Sequence, residues 1–519
     1  MIVFGESPYA GDHVSARIRL VIVFGSFGLL ALFQNYLLNH EYVSLEAMRR
    51  WTDVMMIWDA RDVARSTLVL IFPPVPYGLL LALHAIPPLG GPSASYALDN
   101  IAVAGVVGSF AGSVYRRTQS ATWSVVMAAL VLLNPLMLWI ATSGEGHGVL
   151  LGAYYLLSAA ILRLKLNPDV RAQITLSAAL AFLALCDIRF VFIVMALVPL
   201  IAFLGDPGTI ERSPLGYYAV VLFAPVVVLL THAYLNWVFL DDALAFVGPV
   251  DAPFRGVAAT APLYPWLRDS GGSLFSPMIA GVGFAALCAP LALFVLPPLA
   301  RARRLAFVAL AISTSVPVLA LGLSTAFSYS PHPAPFIGLV LAPTIQSAVL
   351  VLERWGRRVV VALLLAFGTL GGWMLVTWKP TASMIRWRTA LAGPAPLASV
   401  MELDLGHWLH DHADETLVDD RSAYVAIVAR ESAHNLFLPP SDEFKMAVIG
   451  GRVTAAQIVI PQPGTLAAVS DRLAHAFPTL YEHGRAGYRL AYDGPGWRVY
   501  RSTGARAGAH GRFATGVEH

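Results

Sequence analysis

Residues 20–38 read LVIVFGSFGLLALFQNYLL, residues 39–67 read NHEYVSLEAMRRWTDVMMIWDARDVARST, and residues 68–86 read LVLIFPPVPYGLLLALHAI. Each apolar run is close to the ~20 residues that a helix needs to cross a bilayer. Between them stand nine charged residues: Glu41, Glu46, Asp53, Asp59 and Asp62 with Arg49, Arg50, Arg61 and Arg65. Apolar runs separated by charged breaks are the pattern of a polytopic helical membrane chain. Composition agrees: the 519 residues are 57% hydrophobic and 13% charged, with mean hydropathy +0.65, whereas soluble domains carry roughly 25% charged residues. A soluble globule, a disordered chain and a disulfide-stapled secreted domain are excluded.

Ten further apolar runs lie at 101–114, 122–140, 149–162, 174–186, 190–204, 215–240, 278–297, 305–323, 336–352 and 359–378. The run at 20–38 follows Arg17 and Arg19 and has no small-residue cleavage site, so it reads as a first membrane helix and not as a cleaved signal. Short breaks rich in Lys and Arg face the cytoplasm. Those holding Arg17 and Arg19, Arg163 and Lys165, Arg301 to Arg304, and Arg354 to Arg358 are assigned there. The breaks at 39–67, 142–148, 241–276 and 326–335 are assigned outside, as is the chain after 380. Twelve spans would return the tail to the cytoplasm. Parity therefore requires that one segment within 68–140 not cross, with 101–114 and the Pro-interrupted 68–86 as the candidates, or that one more span lie elsewhere.

Net charge is +3, which gives no argument for nucleic acid. The charge is uneven, and residues 381–519 hold 13 of the 35 basic and 14 of the 32 acidic residues. Three regions are expected: a membrane domain at 1–380, an extracytoplasmic α/β domain at 381–501 and a disordered, Gly/Ala/Arg-rich tail at 502–519. In the α/β domain, helical spacing covers 405–412, 422–430 and 466–477. Strand patterns cover 415–419, 435–439 and 457–461, and 488–492 with 497–500 flank a hairpin turn at Asp493-Gly494-Pro495-Gly496. Cys186 and Cys288 both lie in apolar runs and read as buried thiols.

The loop at 39–67 is where chemistry is expected. Its stretch 43–57 has the spacing of an amphipathic helix lying at the membrane interface. Pro73, Pro74 and Pro76 then head the next run, ahead of Tyr77. Irregular backbone at membrane depth is tolerated where it is buried in protein or lines a cavity. Asp187 and Arg189 stand between two apolar runs, where charge is expensive. His407, His410 and His412 with Asp411 and Asp414 are a weak metal pattern, more readily read as an exposed helix face. Asp419 and Asp420 end a strand pattern, a common ligand position in α/β sheets.

The order of first span, acidic loop with His40-Glu41-Tyr42, Phe72-Pro73-Pro74-Val75-Pro76-Tyr77 and further spans resembles the GT-C class of polytopic glycosyltransferases. These include lipid A aminoarabinose transferases and protein mannosyltransferases. In that class the first loop opens on an acidic pair and an aromatic; here His40 stands in the place of the usual aspartate. The second loop, with Glu145 and His147, and the Pro-rich stretch around His332 are similar to later elements of the class.

The resemblance implies an α-helical polytopic membrane protein of about 11–13 transmembrane helices with a small C-terminal α/β domain, in a bacterial inner membrane. It implies transfer of a sugar from a polyprenyl-phosphate carrier to a glycan, lipid or protein acceptor on the outer face. A first-loop carboxylate, Glu41, Asp53 or Asp59, would act as base. His40, Tyr42, Arg49, Arg50, Arg61, Asp62, Tyr77, Glu145, His147 and His332 would line the substrates, the arginines matching phosphate geometry. The leaving phosphate calls for cations, either protein side chains or a divalent metal ion; no cofactor or metal ligand is assigned. The competing expectations are a non-catalytic membrane subunit whose outer domain binds a partner, and a lipid or glycan transporter. Few ionisable residues inside the spans speak against transport.

Overall fold

The computed structural model describes residues 11–40, 42–59, 73–86, 91–187, 189–240, 275–326, 332–377, 380–393, 398–439 and 441–504. Glu41, Arg61, Asp62 and most of the 502–519 tail lie outside them. The described residues form two compact units. One takes residues 11–47, 73–240 and 275–393; the other takes 48–59 and 398–504.

The first unit is all helix, and the chain is a helical polytopic membrane protein. Among the described residues, seven helices are long and apolar enough to cross a membrane, including His13–Asn39, Ser93–Thr118, His147–Leu166 and Trp355–Thr377. The count reaches eight if the bent pair Ala121–Leu132 and Pro135–Thr142 is one span. This is fewer than the twelve apolar runs, for two reasons. Some runs are short helices, such as Val170–Cys186. Others are broken. The run at 122–140 bends by 72° at its break, where Pro135 starts a new helix. The run at 278–297 divides into Phe275–Cys288 and Pro290–Ala302. In both, proline lacks the N–H that would continue the ladder and disfavours helical backbone just before it. Asn134 satisfies the first break: its side chain accepts from Leu136 N at 3.0 Å and donates to Gly368 O at 3.2 Å. The two breaks adjoin, since one space is lined by Asn134, Cys288, Ala289, Pro290 and Thr344. Cys186 and Cys288 are buried free thiols.

The run at 101–114, expected as a possible non-crossing segment, is the middle of the 26-residue helix Ser93–Thr118. Apolar counting missed its ends because Ser93, Ser95, Asp99 and Asn100 are polar, although Ser95, Asp99 and Asn100 are buried inside the protein. The run at 68–86 yields the short helix Pro74–His84 with proline in its first turn.

The second unit contains a five-stranded mixed sheet in the order β2-β1-β3-β5-β4. Its strands are β1 (Thr416–Leu417), β2 (Leu436–Phe437), β3 (Gln457–Pro461), β4 (Tyr488–Gly494) and β5 (Trp497–Ser502). β1 runs parallel to β2 and β3, and β5 pairs antiparallel with β3 and β4. Helices Ala398–Asp411 and Asp420–Ala429 flank β1; the first begins well before the expected 405–412, and the second lies close to the expected 422–430. The expected helix at 466–477 is two short helices, because Asp471 leaves the first and caps the second by accepting from Ala474 N. Leu417, Phe444, Ile458, Ile460, Leu473 and Tyr500 form the core.

Helix Leu45–Asp59 starts in the first unit and belongs to the second from Met48 onward. Its Trp51, Thr52, Met55 and Met56 are buried. Thr52 donates to Tyr424 O at 3.2 Å, and Asp59 accepts from Ala433 N at 3.4 Å. The amphipathic face expected at the membrane interface thus has a protein partner within its own unit.

Candidate functional site

A buried polar cluster of the first unit surrounds residues 142–148. Helix His147–Leu166 needs its N-terminal N–H groups satisfied, and a carboxylate from another helix does this. Asp99, fully buried, accepts from Gly146 N and Gly148 N at 2.9 Å and from Val149 N at 3.1 Å. A Cβ on Gly148 would come within 2.6 Å of the Asp99 carbonyl oxygen, so the approach requires glycine. Tyr42 donates to Ser143 O at 3.1 Å, and the Tyr96 hydroxyl accepts from Ser44 N at 2.9 Å. These bonds tie the chain leaving the first span to the loop.

The loop presents Glu145 into a chain of charges. Glu145 Oε2 lies 3.0 Å from His147 Nε2. His147 Nδ1 lies 3.1 Å from an Arg189 guanidinium nitrogen, which is 3.4 Å from Asp187 Oδ2. Arginine can only donate, so Nδ1 accepts and Nε2–H donates to Glu145. The Trp139 ring packs 4.8 Å from the imidazole, centre to centre. His147 is 3% exposed and Glu145 17%, so the carboxylate is the member of the pair that meets solvent. Burial works to raise the Glu145 pKa. The hydrogen bond from His147 leads the contributions that outweigh it and hold the carboxyl below its usual range. Burial, then Glu145 and Tyr96, push the Tyr42 phenol well above its usual value, so it stays a neutral donor. The arrangement offers a partly exposed, ionised carboxylate backed by an oriented imidazole.

Of the residues singled out in the sequence, Tyr42, Glu145 and His147 come together here, joined by Asp187 and Arg189. His40 bonds back to Tyr36 O through Nδ1 at 2.8 Å. Tyr77 is buried on helix Pro74–His84, and His332 caps helix Pro333–Leu339 by accepting from Ala334 N at 3.1 Å. Arg49, Arg50, Asp53 and Asp59 lie on the part of helix Leu45–Asp59 that belongs to the second unit.

Sequence reasoning missed the helix Ala382–Ala392, which it placed in the C-terminal domain and which belongs to the first unit. Trp387 on this helix donates to Thr142 Oγ1 at 2.9 Å, and Arg386 acts on Tyr42 through its charge. The basic pair Arg386 and Arg388 directly after the last span was the available signal.

In the second unit, Asp419 is fully buried and takes three bonds from Arg472: from its backbone N at 2.7 Å and from Nε and Nη2 at 2.9 Å. Asp420 lies 3.0 Å from the same guanidinium. His410 is bonded to Arg430 O, and His412 stacks on Trp408. Among the described residues, no group of three or more His, Cys, Asp or Glu side chains gathers as metal ligands.

No protein-family model matches the sequence, and no curated protein matches it.

Proposed function

We propose that the chain is a membrane glycosyltransferase of GT-C type that moves a sugar from a polyprenyl-phosphate carrier to an acceptor hydroxyl. One observation carries the reading: Glu145, kept ionised by His147, opens to solvent at the end of a membrane helix. In the proposed step the acceptor oxygen attacks the anomeric carbon while the bond from that carbon to the phosphate oxygen breaks. The bond's electron pair leaves with the polyprenyl phosphate, and Glu145 takes the acceptor proton. Tyr42 donates a hydrogen bond nearby, and Arg189 fixes the imidazole. The carrier's lipid tail suits a site at the ends of apolar helices.

The proposal also places the chain in a bacterial inner membrane, with a cytoplasmic N-terminus and the C-terminal unit outside. If the bent pair and the shorter apolar helices also cross, the helix count enters the range the resemblance implies.

The test is sugar transfer by the purified chain in detergent from a panel of polyprenyl-phosphate sugars. Glu145→Gln is expected to lower kcat by about 10²-fold or more, the contribution of a general base. A wild type that transfers nothing across the panel overturns the enzyme reading. A Glu145→Gln variant with full activity, beside a dead Glu41→Ala, Asp53→Ala or Asp59→Ala variant, moves the base to the first loop.

A further inference from the structure

We infer that one end of the first unit, where three helix ends meet at Glu353, binds the headgroup of an anionic phospholipid. The inference rests on the membrane fold and stands apart from the transferase reading. Helices Ser93–Thr118, Arg304–Thr325 and Trp355–Thr377 are each long and apolar enough to cross a membrane. The breaks at their ends, 115–120, 301–304 and 353–358, hold eight arginines and one acidic residue. Two contacts bring the breaks together. Arg303 donates to Glu353 Oε1 at 2.9 Å, and an Arg117 guanidinium nitrogen lies 3.6 Å from the same oxygen. All three side chains are exposed, as are Arg304, Arg354 and Arg357.

One carboxylate does not neutralise that many guanidinium groups, and like charges held together repel. The helices that begin at Arg304 and Trp355 add the positive potential of their N-terminal ends. The neighbouring side chains identify the counter-charge as a lipid and not a free anion. Trp355, 69% exposed, stands among the arginines, and exposed tryptophan gathers at headgroup depth. Val360, Leu363, Phe367 and Leu370 are exposed along one face of the same helix. Arg357 lies one turn ahead of Val360, at the edge of that face. From 360 to 370 the helix rises about 15 Å, one leaflet's share of a hydrocarbon core roughly 30 Å thick. A phosphate at the arginines and an acyl chain along the stripe cover both surfaces with one molecule.

Native mass spectrometry of the full chain, after incubation in neutral detergent with equimolar phosphatidylglycerol and phosphatidylcholine, reads the preference directly. The wild type should retain phosphatidylglycerol over phosphatidylcholine. Arg303→Gln and Arg357→Gln should each lower that preference by about fivefold, the effect of one basic side chain near an anionic surface. Arg357→Lys keeps the charge and should hold most of it. Glu353→Gln should raise the preference, because it removes the anion that competes with the lipid, and a misfolded variant does not mimic a gain. Arg388→Gln, past the far end of the span Trp355–Thr377, should retain lipid as the wild type does. Inorganic phosphate at the same concentration should displace nothing. Equal retention of the two lipids by the wild type overturns the inference, as does wild-type preference in both Arg303→Gln and Arg357→Gln. So does a loss of preference in Glu353→Gln, or an equal loss in Arg388→Gln. Displacement by inorganic phosphate would mark a site for free anions and overturns it as well.

Discussion

Glu145 in the first unit and the Asp419–Asp420–Asp471 group in the second are all partly or fully buried, and the chain treats them in opposite ways. Glu145 meets an imidazole N–H, and its pKa goes down. Asp419 and Asp420 both bond the guanidinium of Arg472, and Asp471 directly precedes it in the chain. Asp419 takes most of that cation's bonds. Burial and the charge of Asp419 push Asp420 up and push Asp471 up to about 7. One site thus lowers the pKa of its single carboxylate. The other keeps one carboxylate fully buried on Arg472 and raises the pKa of its two neighbours. The contrast is what separates a site prepared for proton transfer from a charge cluster that joins β1, helix Asp420–Ala429 and helix Arg472–Ala476.

The largest effect that would break this comparison is on stability. Asp419→Ala removes the partner of three Arg472 bonds and leaves Asp420 as the nearer remaining carboxylate. Breaking a buried ion pair costs about 3–5 kcal/mol. Arg472 is 33% exposed, which puts the expectation near the lower limit, about 3 kcal/mol. Thermal unfolding of the full chain in detergent measures it. A shift indistinguishable from zero would mean that the cluster does not hold the second unit together. Sugar transfer per folded molecule should not change, because the cluster takes no part in the proposed step.

Next in size is His147, argued to act through Glu145 as a positioning residue. Glu145 must be ionised to take a proton, so activity falls as pH drops through its pKa. That pKa is depressed, so the acid limb of the wild type lies below the usual carboxylate range. In His147→Leu the opposing contribution of burial dominates, the pKa rises, and the acid limb moves to higher pH. About a tenfold loss of kcat at pH 6 corresponds to a limb moved by one unit beyond that pH. His147→Gln retains an N–H for Glu145 and should recover part of the shift. An acid limb that stays in place in both variants would remove His147 from the site.

Legibility followed the length scale of each signal. Hydropathy runs located the membrane helices, since burial in lipid acts on many residues at once. The strand 457–461 and the hairpin 488–500 were equally readable from alternation and the Asp493-Gly494-Pro495-Gly496 turn. Breaks at Asn134-Pro135 and Ala289-Pro290 were written in the sequence but masked by continuous hydropathy. Helix Asp442–Gly450 was passed over although Ser441 caps it, with Asp442 and Glu443 in its first turn. Within the candidate site, Glu145 and His147 stood out locally. The bonds that hold their loop, from Asp99 to Gly146 and Gly148 and from Trp387 to Thr142, span up to 245 positions of sequence and exist only through packing, which no local pattern encodes.

The smallest expected effect concerns Asp471 and tests the protonated half of the comparison. Its Oδ1 accepts from Ala474 N and its Oδ2 meets Ser422 Oγ, both at 2.6 Å. Ser422 has one proton and a second acceptor, Asp419 O, at 3.2 Å. A protonated Asp471 donates to Ser422, which then donates to Asp419 O, and every group is satisfied. Asp471→Asn keeps this pattern, with the amide N–H in place of the acid proton. Its cost at pH 5 should be below about 1 kcal/mol. The sign of the pH dependence follows from linkage. A carboxyl whose folded pKa of about 7 exceeds its unfolded value stabilises most below about pH 4. That contribution is lost as pH rises through the folded value, at no more than about 1.4 kcal/mol per pH unit. Asparagine cannot ionise, so the variant escapes the loss. Unfolding midpoints of variant and wild type should be close at pH 5 and should differ in the variant's favour at pH 8. A variant less stable than the wild type by the same margin at both values would mean that Asp471 is charged in the folded chain. The contrast with Glu145 would then rest on geometry alone.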